Sequence, residues 1–281
     1  MATAVETTGN PTGTVAANGR EANRGQPIVD LRGKRGLVFG IANDESIAAG
    51  CARAFSRAGA VLAATYLNDK AEPHVRAVTD GLACPLVLPC DLRHPGELEA
   101  VFARVRQDWG RLDFLLHCVA FAPRDDLHGR VVDSSAEGFA LAMDISCHSF
   151  LRMARLAEPL MTQGGTLLAV TFHGSSTVVE HYNMMGPVKA ALESAVRYTA
   201  AELGGAGIRA HALSPGPILT RAASGIAGFD EMIAEATRRS PMRRLVDVED
   251  VGALAAFLVS DAARNVTGTI IPIDGGQHLF G

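Results

Sequence analysis

From residue 34 onward, short apolar runs alternate with longer stretches whose hydrophobic positions recur every three to four residues, the pattern of strands joined by helical crossovers. The runs GLVFG (36–40), AVLAAT (60–65), PLVLPC (85–90), DFLLHCV (113–119), TLLAVT (166–171), IRAHAL (208–213) and TIIPID (269–274) predict seven strands. They are apolar at consecutive rather than alternate positions, which marks strands covered on both faces. Helical periodicity fills the gaps: Ser46 to Ala58 with Gly59 as its stop, Glu97 to Trp109, Ala136 to Met161, and Val248 to Ser260 opened by Asp247. The alternation predicts an α/β fold, a single Rossmann-type doubly wound domain with a seven-stranded parallel sheet and helices on both faces. No internal repeat or second boundary interrupts it, so residues 30–281 are expected to form one domain.

Residues 1–29 break the pattern. They contain no aromatic residue and are rich in Thr, Gly, Asn and Ala, a composition that buries too little surface to offset chain entropy. An unstructured leader is expected there.

Composition agrees with the layered reading: 48% of residues are hydrophobic but only 5% aromatic, and 29 glycines supply many tight turns. A formal net charge of -4 gives no basic field to hold nucleic acid or an anionic membrane surface. No apolar run approaches the roughly 20 residues of a membrane helix, so neither partner is expected. The five cysteines, Cys51, Cys84, Cys90, Cys118 and Cys147, are odd in number and widely spread, which favours reduced thiols and a cytoplasmic protein.

Candidate chemistry sits at the ends of the strands. The first run leads into FGIANDESIAAG, where Gly40 allows close approach to a pyrophosphate and Ser46 can cap the helix and donate to phosphate. The G-x-G-x-x-G spacing is absent, and a plain capped turn fits the stretch equally well. The second run leads into TYLNDK, with Leu67 at its end and neither an acid nor an arginine there. The lack of arginine tilts toward NADH over NADPH, while Lys70 is either a phosphate partner or a solvated helix-start charge. Asp91, in PCDL, could accept from an adenine amino group or cap the next helix. After the fourth run come the small residues Cys118, Val119 and Ala120, where backbone can pass beneath a flat ring.

The stretch YNMMGPVKAALE (182–193) places Tyr182 seven residues before Lys189. On a helix that spacing puts both on one face, about 10 Å apart along the axis. A phenol near a cation is a good donor to a developing oxyanion. Pro187 sets the regular helix to begin near 184–187, leaving Tyr182 just outside it in the cleft. A polar edge on a buried helix is the competing reading.

Taken together, the pieces GIANDESIA, TYLNDK, CDL, HCVAFAP, DISCHSF, YNMMGPVK, SPGPILTRAASGI, PMRRLVDVEDVG and VTGTIIPIDGG resemble, in order, the enoyl-acyl carrier protein reductases, a divergent branch of the short-chain dehydrogenase/reductases. The resemblance runs from about Gly33 to Gly276. It implies that Gly40, Ser46, Ile47 and Thr220 hold the pyrophosphate of NADH, that Asp91 and Leu92 face its adenine, that Cys118, Val119 and Ala120 run beside it, and that Leu67, Lys189, Pro217 and Ile218 also bind the cofactor. It makes Tyr182 and Lys189 the catalytic pair. Phe172, Ala122, Ala222 and Ile226, together with Tyr182, would face the substrate, beneath a lid over about 216–240.

The implied reaction reduces a trans-2-enoyl thioester, on acyl carrier protein or coenzyme A, with hydride going to the β-carbon and Tyr182 stabilising the enolate oxygen. The resemblance also implies a homotetramer built through the helices holding Leu141–Met161 and Ala190–Leu203. Three departures stand out: Phe172 where many members have a second tyrosine, Leu67 where many have glutamine, and acidic Asp230, Glu231 and Glu235 in the lid, where bacterial members often carry basic residues. The serine that polarises a ketone in related ketoreductases is replaced by Ala169, beside Val170.

Overall fold

The computed structural model describes residues 27–218 and 229–280. Seven parallel strands form one sheet: β1 (Arg35–Phe39), β2 (Val61–Tyr66), β3 (Leu86–Pro89), β4 (Phe114–His117), β5 (Gly165–Val170), β6 (Ile208–Pro215) and β7 (Thr269–Ile273), in the order β3-β2-β1-β4-β5-β6-β7. Successive strand residues feed opposite cores, which is why the runs are apolar throughout. Leu37 and Phe39 of β1 join one cluster with Leu167 and Ala169 of β5, while Val38, Leu168 and Val170 join the other.

Helices cover each face. The first cluster is closed by α3 (Glu97–Trp109), α5 (Ala136–Met143), α6 (Ser149–Ala157) and α7 (Met185–Leu203), and the second by α1 (Ile47–Arg57), α2 (Glu72–Thr79) and α9 (Val248–Val259). A four-residue helix, α4 (Arg124–Leu127), precedes α5, and α8 (Phe229–Arg239) precedes α9. The doubly wound sheet read from the sequence is the observed fold, with strand boundaries within two residues of the expected ones.

Local chemistry explains the helix starts. Ser46 caps α1, its hydroxyl accepting from the Ala49 amide, and Asp247 and Asp250 form a reciprocal capping box at α9. Helices α1 and α9 cross backbone to backbone. A Cβ on Gly50 would lie 2.3 Å from the Val248 carbonyl oxygen, and one on Gly252 would lie 2.5 Å from that of Gly50.

One expected element is corrected. The periodic stretch Ala136–Met161 is not a single helix. A wide π turn over Asp144–His148, with the Ser149 amide donating to the Asp144 carbonyl, separates α5 from α6, and a 3-10 turn over Glu158–Leu160 replaces the last turn. A π turn keeps the helix axis while adding one residue, so periodicity alone does not expose it. Pro159 accounts for the early end of α6.

Candidate active site

The sheet reverses its winding between β1 and β4, neighbours whose crossovers run to opposite edges. In open α/β sheets the crevice beyond the carboxyl ends at such a point is where ligands bind. Its floor is unusually close-packed. Gly40 has φ 100°, and a Cβ there would lie 1.9 Å from the Cys118 carbonyl oxygen, so only glycine lets β1 exit past β4.

Beyond Gly40 the N-terminus of α1 points into the crevice. Its first turn holds no acidic residue, so the positive end of the helix dipole is not countered from within. Ser46 donates to the Asn43 carbonyl at 2.7 Å, fixing the turn, and Arg53 draws the Asp44 carboxylate into an ion pair at 2.7 Å. This cradle fits a pyrophosphate, with Ile47 as the first helical residue.

Leu67 is 50% exposed at the end of β2, a side chain able to pack on a ribose without hydrogen-bonding it. Asp91 is buried just after β3, but Arg93 grips its carboxylate, with Nη2 to Oδ2 at 2.6 Å, and holds it below the usual carboxylate range. Adenine recognition by that carboxylate therefore competes with an internal ion pair. Leu92 is buried, and its carbonyl accepts from Arg152 at 3.2 Å. Cys118 and Val119 are half-buried and Ala120 is exposed, forming the strip after β4. Pro217 and Ile218 are buried at the end of β6. Thr220, Ala222 and Ile226 lie outside the described residues, as do residues 1–26 of the expected leader.

The candidate pair Tyr182 and Lys189 occupies the loop-to-helix junction after β5. Tyr182 is not on the helix, which begins at Met185, so the shared-face argument does not describe it. It sits instead in a turn whose flanking residues, His181 and Asn183, both have positive φ, 63° and 47°. Asparagine tolerates that conformation better than most residues. The phenol ring is gripped from two sides. The Phe172 ring lies 4.8 Å away, tilted by 58°, and a Cβ on Gly174 would come within 2.5 Å of the Tyr182 ring.

Lys189 lies on α7 with 4% exposure, its ammonium donating to the Val170 carbonyl at 2.8 Å. Burial pulls its pKa down to about 8, against the opposing effect of Cys118, Cys147 and Glu193. Burial pushes the Tyr182 phenol above its ordinary value, and the Glu193 carboxylate adds to this. The phenol therefore remains protonated and is a donor, not a base, near neutral pH. Glu193 itself is buried and accepts from the Thr171 hydroxyl at 2.7 Å. Thus the first hydroxyl past β5 is committed elsewhere, while Ala169 and Val170 carry none.

Several residues were not singled out by sequence. His117 is fully buried at the end of β4, with Nε2 2.7 Å from the Ser149 hydroxyl, and burial drives its pKa down to about 3. Ser146, inside the π turn, bonds both backbone groups of Phe121, accepting from its amide at 2.8 Å and donating to its carbonyl at 2.9 Å. Asn183 donates from its side-chain amide to the Leu127 carbonyl at 2.6 Å. Their partners lie 25 to 56 residues away, so no local spacing signals them.

A family profile described as enoyl-(acyl carrier protein) reductase matches residues 40–278. The chain belongs to that family. An enoyl-acyl carrier protein reductase (NADH) of Bacillus cereus is 46% identical over 253 residues, covering 89% of this chain and 99% of that protein. Among solved structures, the Anaplasma phagocytophilum reductase in complex with NAD superposes with a TM-score of 0.86 at 42% identity, covering 89% of this chain and 96% of that one. A Bacillus cereus reductase with NADP+ and an indole naphthyridinone gives 0.87 at 45%, covering 90% and 99%. The ordered motif set quoted from the sequence is thus that of an enoyl-acyl carrier protein reductase. Among the described residues no group of side chains could hold a metal ion, and no helix is long and apolar enough to cross a membrane.

Proposed function

We propose that the protein reduces trans-2-enoyl thioesters on acyl carrier protein to saturated acyl thioesters, using NADH, as a step of fatty acid biosynthesis. The observation that carries this reading is the pairing of a protonated Tyr182, clamped between Phe172 and Gly174, with a buried Lys189, where Ala169 and Val170 offer no hydroxyl to a ketone. Bound NADH would supply the hydride that reaches the β-carbon, and protonation of the resulting enolate at the α-carbon would complete the saturated thioester.

Tyr182 donates to the thioester oxygen as negative charge builds there. A donor fixed before reaction acts without reorganisation, which is where such sites gain most. Lys189, held from below by the Val170 carbonyl, retains donors for the ribose hydroxyls and places positive charge behind the phenol. Phe172 gives the tyrosine an apolar wall but no second hydrogen bond, so the oxyanion rests on Tyr182. Leu67 and the absence of arginine beside it favour NADH over NADPH.

Exposed Leu151 on α6 and Tyr198 on α7 support a homotetramer assembled through those helices. The unpaired thiols support a cytoplasmic location.

The test follows NADH absorbance with crotonyl and longer enoyl thioesters, each on acyl carrier protein and on coenzyme A. Turnover is expected, with carrier-linked substrates preferred, and Tyr182→Phe should lower kcat by roughly 10²–10³-fold. Preference for β-ketoacyl substrates over enoyl ones would overturn the reading.

A further inference from the structure

The segment after β4 runs beside the turn that carries Tyr182: the Leu127 carbonyl accepts from the side-chain amide of neighbouring Asn183 at 2.6 Å, and Val119, Ala122 and Leu127 pack against the same core cluster as Tyr182. Three sets of side-chain hydrogen bonds tie it to other parts of the chain. At the near end Ser146 takes both the amide and the carbonyl of Phe121. In the middle Asp126 accepts from the Ser135 amide at 2.6 Å and from its hydroxyl at 3.1 Å, rooting α4 at the start of α5. At the last residue of α4, the Leu127 carbonyl accepts from Asn183 at 2.6 Å.

The third bond differs in kind from the others, because Asn183 is the residue next to Tyr182. Its left-handed φ of 47° turns the side chain away from the course a helical residue would take. From there its amide reaches the opposite wall. The same residue thus shapes the catalytic turn and ties it to α4. The Leu127 carbonyl can only accept, so the side-chain nitrogen, not the oxygen, must face it.

We infer that Asn183 is a positioning residue that sets the width of the gap between the Tyr182 hydroxyl and the wall at Ala122–Leu127, and so the fit of the acyl chain next to the thioester. This rests on the enoyl reductase reading for its substrate, though not for the coupling itself. Ser146 anchors the wall's near end, so that slack introduced at Asn183 appears around α4. A wall tied at Ser146 and through Asp126 to Ser135, but no longer to the turn that carries Tyr182, would admit bulkier chains and hold short ones less well.

Asn183→Gly is the informative variant, since glycine keeps the positive φ at no steric cost and removes only the amide. Asn183→Ala removes the amide and strains the turn as well, and Asn183→Asp sets a carboxylate against the Leu127 carbonyl. Two measurements are made on each full-length variant. Hydrogen exchange reads the α4 amides, where Leu127 donates to Pro123 and His128 to Arg124. Steady-state kinetics reads KM and kcat across enoyl thioesters of increasing length.

For Asn183→Gly, α4 exchange should rise about tenfold, the equivalent of one lost hydrogen bond. KM for the shortest thioester should rise by a similar factor, more than kcat falls, while longer or branched chains lose less. Asn183→Asp should exaggerate both effects. Unchanged α4 exchange overturns the coupling whatever the kinetics show. Increased exchange with an unaltered chain-length profile overturns the positioning role. If the unmodified protein turned over no enoyl thioester, the functional reading would fall, while exchange would still decide the coupling.

Discussion

Tyr182 and Lys189 illustrate how two ionisable side chains a few residues apart are driven in opposite directions by the same burial. The phenol is held protonated, whereas the ammonium of Lys189 is brought to a pKa of about 8. Activity that depends on the Lys189 charge should therefore decline as pH rises through about 8, read from the pH profile of kcat/KM for NADH. The stability consequence has the opposite sign. Between about 8 and 10.5 the unfolded chain keeps a proton that the folded lysine has lost, so this residue's contribution to stability rises with pH over that window. Compared with Lys189→Met by denaturant unfolding, the unmodified protein should gain on the order of 3 kcal/mol between those limits. Gly174→Ala tests the clamp on the phenol. Its Cβ would fall 2.5 Å from the ring, and the displaced hydroxyl should cost roughly 10²-fold in kcat, with overpacking lowering stability by about 1–3 kcal/mol in a thermal melt. At this scale the sequence singled out Tyr182 and Lys189 as candidates, because Tyr and Lys in that order carry a recognisable pattern. Asn183, Ser146 and Glu193 were hidden, since each acquires its meaning from a partner that only folding brings near.

Among elements, the strands and most helices were legible because hydrophobic period and length separate them clearly. The failure at Ala136–Met161 is instructive. Five residues in a π turn leave apolar positions near their helical places, yet the shift turns Ser146 toward Phe121. A bulge of this kind costs backbone regularity and persists where it places a side chain. The placement of Tyr182 outside α7 was correctly read from Pro187, which fits a first turn, but the left-handed residues on either side carry no comparable local signal. Helix α1 supports a quantitative expectation. Ser46→Ala removes the N-cap and should cost about 1 kcal/mol of stability, measured by chemical unfolding, and should raise KM for NADH if, as proposed, the amides of this turn meet the pyrophosphate.

For the whole molecule, the sheet order alone located the crevice, since winding reverses once, between β1 and β4. What composition could not reveal is which apolar surface remains outside the core. Leu151 is 39% exposed and Tyr198 69% exposed on α6 and α7, and replacing both with glutamate should convert the expected tetramer to smaller species in native mass spectrometry. A protein that stays tetrameric would place the interface elsewhere. The crossing of α1 over α9 at Gly50 and Gly252 has a bearing on how this enzyme can diversify. Two main chains in direct contact leave no room there for a side chain, so any residue larger than glycine at Gly50 or Gly252 would push α1 and α9 apart. With NADH bound as proposed, a substitution at Leu67, half-exposed after β2, would alter the contact with its ribose without touching that crossing.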